Sequence, residues 1–536
     1  MYDTENDRTS FLEKTKAARL EREQAKKKED SVIVIQSHAR KWVVKRKIRQ
    51  QILAEFDQQI QENTELKCCK QVYLLAKKFL WIWKKDEDKT RFEHLCRYIN
   101  SSLDSKSSSH SYIGVFFVKE YTQSWIGHIK TLLWTCCLYL SDIKVDYSDM
   151  KQVLVLLHTL VSFTSTNTWA LLKTNNTMLI SLDQLCNNFM GHLYSKGFYS
   201  VLKDILMKGL LRSKISLKAV SLSGVITLST RPLVSSGLSD KLIHNYITHI
   251  LCVPALMYHM EHTAPLCLKQ FENEEVLKRC LEVLSNQEEA QYIFNKLEGS
   301  YVLCMIGNLI HLSHLQLNSS MKEVKFPLYT VVLTRLLCML QEYVSAKQSN
   351  MTTWHPILGW FAQTYDPRLS ESLPLVKSQL FLLWSEPLIE SLLGEPLQSV
   401  LKAADEAGGG APTVPTQATA PSSNIIKRTF FESRSKQSLN KAGKIKLGSP
   451  DVSRVTVTCS LYYSAISTFT QLKLDILTGL CYRDSILAQL WKFFTCLGPM
   501  CGMKSLLELF SVNPKAMCPE FNTLILFCDL MTHYIM

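Results

Sequence analysis

The run Val153-Leu154-Val155-Leu156-Leu157-His158-Thr159-Leu160-Val161 places Val153, Leu156, Leu157, Leu160 and Val161 three and four residues apart. That is the period of one buried stripe on an α-helix. Leu333, Leu336, Leu337 and Leu340 repeat the arrangement. Such sets recur from about residue 64 to 400 in segments of about 10 to 18 residues separated by short polar turns. Alternation of period two is confined to short stretches such as Tyr112 to Val118 and Val455 to Leu461, too few to build a sheet-based domain. The expected class is all-α. More than 300 residues of this pattern exceed one bundle and suggest stacked helix pairs of the armadillo or HEAT kind, although no crisp repeat period stands out.

Composition agrees with a folded chain. The 536 residues leave room for two to four domains or one long array, and 46% hydrophobic with 20% charged residues excludes a wholly disordered or collagen-like protein. Lys plus Arg at 61 against Asp plus Glu at 48 gives +13, too modest to imply nucleic acid. The 17 cysteines lie mostly among apolar neighbours, with no Cys-x-x-Cys and no zinc-type pairing with histidines. They read as reduced core thiols, with no metal site, which suits the cytoplasm. Met1 to Ser10 carries Asp3, Glu5, Asp7 and Arg8 and does not resemble a secretory signal. The best uncharged window, Val302 to Met321, contains Asn308, His311, His314 and Gln316; it reads as a buried helix running into a loop rather than a membrane span. No phosphate-cradling Gly-rich loop, Gly-x-Ser-x-Gly elbow or His-Glu-x-x-His helix occurs, so neither a cofactor nor a catalytic constellation is expected. His355, in Trp354-His355-Pro356, reads as a packed or capping residue rather than a base.

Four regions follow. Residues 1–63 lack proline and hold helix-favouring Glu, Lys, Arg, Gln, Ala and Leu, which predicts one or two long exposed helices with a basic stretch at about 31–50. Residues 64–400 form the helical body. Residues 401–454 form a flexible linker, from the Gly, Pro, Ala and Thr of Ala403 to Asn424, followed by a basic cluster from Lys427 to Lys446 whose interspersed serines suit a solvated, kinase-accessible loop. Residues 455–536 resume the helical pattern, which is still running at Met536 without Gly or Pro, as in a chain interrupted mid-fold.

The binding chemistry sits in the first region. Ile35 and Gln36, then Arg40, Lys45 and Ile48, satisfy Ile-Gln-x-x-x-Arg-Gly-x-x-x-Arg/Lys-x-x-apolar, except that Lys41 replaces the glycine. This is an IQ motif. On a helix Ile35 and Ile48 stand about 20 Å apart, a span that an EF-hand protein can grip at both ends. Ala39 and Trp42 share a side with Ile35, and Ser31 to Gln50 holds six basic residues and no acidic one, which attracts an acidic partner. Calmodulin or a calmodulin-like light chain is that partner, through Ile35, Gln36, Arg40, Lys41, Trp42, Lys45 and Ile48. A solvated basic face, or a helix lying on anionic lipid or on RNA, uses the same residues.

Further blocks follow in order: Asn188-Phe-Met-Gly-His-Leu, Gly197-Phe-Tyr-Ser-Val-Leu, Val253-Pro-Ala-Leu, Met305-Ile-Gly-Asn-Leu-Ile-His-Leu, Trp354-His-Pro-Ile-Leu-Gly-Trp-Phe, Leu474-Asp-Ile-Leu-Thr-Gly-Leu and Leu526-Phe-Cys-Asp. Together with the IQ motif they resemble the amino-terminal region of IQ-motif-containing HECT-type ubiquitin ligases, over almost the whole chain. The resemblance implies a part in protein ubiquitination, with ubiquitination substrates as partners and a conjugating enzyme engaged only through a HECT domain that lies outside it. In that domain a cysteine in a Thr-Cys-Phe-Asn context carries ubiquitin as a thioester. The Thr-Cys pairs here, at Cys136, Cys459 and Cys496, lack the following Asn. No catalytic residue is therefore implied, and no ligation is expected of this chain alone. The alternative is a stand-alone calmodulin-binding helical scaffold; a reading frame continuing past Met536 into a HECT domain would exclude it.

Overall fold

The computed structural model describes residues 4–60, 68–143, 150–174, 179–211, 216–235, 239–268, 274–317, 322–347, 354–360, 369–409, 445, 449–497 and 519–536. Among them the protein is all-α, as its apolar periodicity predicts. The one strand pairing is an antiparallel ladder of two residues each, β1 (Trp354–His355) and β2 (Gly359–Trp360). The chain divides into two compact units, Met1–Thr135 with Thr166–Ser181, and Cys136–Ser165 with Leu182–Met536.

The first unit is built on α1 (Thr4–Gln59), α2 (Cys69–Ile82), α3 (Lys89–Ser102) and the part of α4 (Thr122–Asp142) up to Thr135. The predicted amino-terminal helical region is thus one continuous helix of 56 residues; positions 61–63 lie outside the described residues. Val72, Tyr73, Leu75, Ala76 and Phe79 form the buried side of α2, and Phe92, Leu95 and Ile99 of α3 and Trp125 and Ile129 of α4 are buried as well; the Tyr73 ring meets His128 of α4 edge-on at a centroid distance of 5.4 Å. Tyr112 to Val118 does not become a strand. Tyr112–Phe117 is a 3-10 turn, which leaves Tyr112, Ile113 and Val115 all buried. Gly114 permits this packing, because a Cβ there would fall 1.8 Å from the Ser108 carbonyl oxygen.

In the second unit the stripe that decides the fold class is buried as expected, except that Val161 is half-buried. Val153, Leu156, Leu157 and Leu160 are at most 2% exposed on the helix Met150–Phe163. Leu333, Leu336, Leu337 and Leu340 are buried on the helix Lys322–Lys347. The uncharged window runs on into 318–321, outside the described residues; its part from Val302 to Ser313 lies in the helix Gln287–Leu315 and is buried despite its polar residues. Asn308 is the reason: its Nδ2 donates to the carbonyls of Leu251 (2.9 Å) and Val253 (2.7 Å), and its Oδ1 accepts from Met257 N (3.1 Å) and Gln379 Nε2 (3.0 Å). Four bonds exhaust the amide and remove its desolvation penalty. Among the described residues no helix is long and apolar enough to cross a membrane.

The segment after the expected linker is not a separate body. Val455 to Leu461 lies in the helix Pro450–Thr468, with Val455, Val457, Cys459, Leu461 and the intervening Thr456, Thr458 and Ser460 all buried. The alternation misleads because the polar partners are small and satisfied within the helix: Thr456 Oγ1 donates to Ser453 O (3.2 Å) and Thr458 Oγ1 to Arg454 O (3.0 Å). Tyr462 donates to Leu383 O (3.0 Å) and Thr468 to Leu337 O (3.2 Å), which ties this helix to the body. The helix Glu395–Gly409 runs through 401–409, where the linker was expected to begin. Most of the remaining linker, and the basic cluster apart from Ile445, lie outside the described residues. His355 acts as a turn residue: buried, its Nδ1 accepts from the amides of Ile357 and Leu358 (both 3.1 Å), and burial lowers its pKa to about 4.

Candidate partner-binding helix

A helix that buries nothing must be held by one end. Every side chain of α1 from Arg8 to Ile48 is exposed, and burial begins only at Leu53, Phe56 and Ile60. Phe56 is fully buried and its ring stacks on Phe79 at a centroid distance of 4.4 Å. Burying side chains of this size contributes about 1.5–3 kcal/mol each. Charged contacts frame the dock. Asp88, 0% exposed, accepts from Arg49 Nη2 (2.5 Å), Arg91 Nη1 (3.2 Å) and the backbone amide of Lys84 (3.0 Å). Arg91 also grips Asp57 through two bonds of 2.7 Å, and its pKa is raised chiefly by that hydrogen bonding. Lys78 and Glu55 add an exposed pair at 3.3 Å.

The predicted binding residues all fall on the undocked stretch. Ile35 is 66% exposed, Trp42 61% and Ile48 38%, and Gln36, Arg40, Lys41 and Lys45 are exposed too. Val32, Ile33, Val34, Val43 and Val44 lie bare beside them. At about 100° per residue these apolar groups occupy all sides of the helix, and Ile48 stands roughly 140° around from Ile35. A partner covering both must clasp the helix rather than lie along one face.

Two of the six basic residues are already engaged within the protein. Arg46 lies over the Trp42 ring, 5.4 Å from its centroid, and holds the indole by a cation–π contact. Arg49 turns into the body to meet Asp88. Sequence reasoning missed this last role, because nothing in the basic run signals a buried carboxylate 39 positions downstream.

Two curated proteins align along nearly the whole chain. Human ubiquitin-protein ligase E3B is 35% identical over 541 residues, covering 99% of this chain and 50% of the human protein. The chain is similar to the amino-terminal half of ubiquitin-protein ligase E3B. Mouse ubiquitin-protein ligase E3B aligns equally far at 34% identity, so the chain spans about half the length of the curated relatives it matches. No family model and no solved structure matches the chain.

Cys136 and Cys459 are buried, and burial pushes the Cys459 thiol up to about 12. Such a thiol is a poor nucleophile at neutral pH. Cys186 and Cys280 are pushed to about 12 in the same way. Among the described residues no group of three or more His, Cys, Asp or Glu side chains could hold a metal ion.

Proposed function

We propose that this chain is a non-catalytic amino-terminal part of a HECT-type ubiquitin-protein ligase, in which α1 binds calmodulin or a calmodulin-like light chain and the helical body receives ubiquitination substrates or regulators. The observation that supports it most is the exposure of Ile35, Trp42 and Ile48 on a helix anchored only beyond them. Exposed apolar groups in this density mark an interface. Arg40, Lys41, Lys45 and Lys47 remain available to an acidic partner. A conjugating enzyme and the transfer of ubiquitin would belong to a HECT domain elsewhere in the ligase.

The test is calmodulin titration, with and without calcium, against the chain and its Ile35→Ala/Gln36→Ala variant. The chain should bind and the variant should lose binding; equal binding would refute the assignment. Incubation with activating enzyme, conjugating enzyme, ubiquitin and ATP should yield no reducible adduct, and an adduct on one of the cysteines would overturn the non-catalytic reading.

A further inference from the structure

We infer that the groove between α2 and α4 docks an acidic peptide segment carrying a bulky apolar side chain, an interaction independent of the calmodulin reading. One row of α2 faces away from the core: Lys70, Leu74, Lys77 and Trp81, at steps of four, three and four. Trp81 is 76% exposed and Leu74 42%, on a helix whose other side is packed. Leu74, Lys77 and Trp81 border, with α4, an open groove of about 740 Å³, whose far wall includes Ser124, Gly127 and Thr131; Lys70 stands a turn before it, its ammonium 5.9 Å from the Tyr121 ring centroid. A Cβ added at Gly127 would meet nothing within 4 Å, so this wall has room for a side chain from outside.

Charge selects the occupant. From Cys69 to Ile82 there are three lysines and no Asp or Glu, and no carboxylate lines the groove among the described residues. Lys78 is engaged by Glu55, but the structure gives Lys77 no ion pair among the described residues. A tryptophan beside an aliphatic groove and an uncompensated ammonium suits a ligand with an apolar anchor flanked by carboxylates: the anchor is desolvated against Trp81, and the acids answer Lys70 and Lys77. A basic ligand would be repelled, and a purely apolar one would leave both lysines without a counter-charge.

The probe is a fluorescein-labelled helical peptide of about 15 residues with leucines at i, i+4 and i+7 and glutamates elsewhere on its surface, set against its counterpart with lysine at every glutamate. Fluorescence anisotropy on the full chain should show the acidic peptide binding, more weakly as salt rises, and the lysine peptide not binding. Trp81→Ala should weaken binding roughly tenfold or more, and Lys77→Glu several-fold. Both side chains are exposed, and unchanged circular dichroism would show that the fold is retained. The basic stretch of α1 is the competing site, so Ile35→Ala/Gln36→Ala is included; it should leave this binding intact while abolishing that of calmodulin. The inference fails if the acidic peptide does not bind, if the lysine peptide binds equally, or if binding survives Trp81→Ala and disappears with the α1 variant.

Discussion

Two stretches of one helix behave in opposite ways. From Val32 to Ile48, α1 leaves large apolar side chains in water; from Arg49 onward it buries Leu53 and Phe56, with Ile60 just past its end, and turns its charges onto α2, α3 and the Asp88 that precedes α3. In apolar content the two are alike, each mixing aliphatic side chains with one large aromatic ring, Trp42 or Phe56, although the outer stretch carries five basic residues and no acidic one and the inner stretch Arg49 with Glu55 and Asp57. They differ in what lies beside them. An apolar group on a helix therefore marks an interface without saying whether its other half belongs to the same chain.

Paired truncations probe this contrast most strongly. Phe56→Ala removes a fully buried ring and its stack on Phe79 and should cost about 3–5 kcal/mol. Trp42→Ala should change stability by less than about 0.5 kcal/mol while weakening calmodulin by tenfold or more. Urea unfolding reads the first effect and calmodulin titration the second. Were Trp42→Ala to destabilise the chain as Phe56→Ala does, the outer stretch would have a cover within the protein and the contrast would vanish.

The charged frame comes next in size. Asp88→Asn leaves Arg49 and Arg91 facing a neutral amide at a position with no solvent access. Breaking a buried ion pair costs about 3–5 kcal/mol, and the partial exposure of Arg49 (18%) and Arg91 (32%) reduces the expectation to about 2–3 kcal/mol. Arg49→Lys, which keeps the charge, should cost less than Asp88→Asn but not nothing, because an ammonium does not reproduce the guanidinium fork. Equal stability of all three proteins would mean that the apolar dock alone holds α1.

Acid should separate the anchored part from the exposed one. His128, buried and hydrogen-bonded to Tyr112 Oη (2.8 Å), has its pKa lowered to about 3, first by burial and then by Lys77. The unfolded chain binds this proton near pH 6.5 and the folded chain does not. Stability is therefore complete above about 6.5 and falls with pH toward about 3, by up to about 1.4 kcal/mol per unit. In the second unit His259 and His355, lowered by burial to about 4, act in the same direction. His128→Gln should flatten the decline in the urea midpoint between pH 6.5 and 5. An unaltered slope would place the acid sensitivity on other groups.

These pairs also show what the sequence alone could tell. The period of Val153 to Val161 and of Leu333 to Leu340 carries the helical class, because a buried stripe is a local pattern. The helical state of the candidate residues on α1 is legible for the same reason: helix continuity from Ile35 to Ile48 needs no knowledge of the rest of the fold. Arg49 with Asp88, Asn308 with Gln379, and Tyr462 with the Leu383 carbonyl were not legible, since each joins positions 39 to 79 apart and depends on where whole helices settle. The helical state of Val455 to Leu461 was hidden because Thr and Ser can occupy a buried helix side when their hydroxyls return to the preceding turn.

The smallest effect tests whether the rim of the dock contributes at all. Lys78 and Glu55 meet at 3.3 Å with 52% and 41% of their side chains exposed, so screening and side-chain entropy offset most of the attraction. Lys78→Ala should cost no more than about 0.5 kcal/mol, and a double-mutant cycle with Glu55→Ala should give a coupling energy that shrinks further as salt is raised. The arginine contacts around the inaccessible Asp88 should be far less sensitive to salt. A Lys78–Glu55 coupling above about 1 kcal/mol that persists at high salt would show that water does not reach this pair, and the dock would then be larger than its buried side chains indicate.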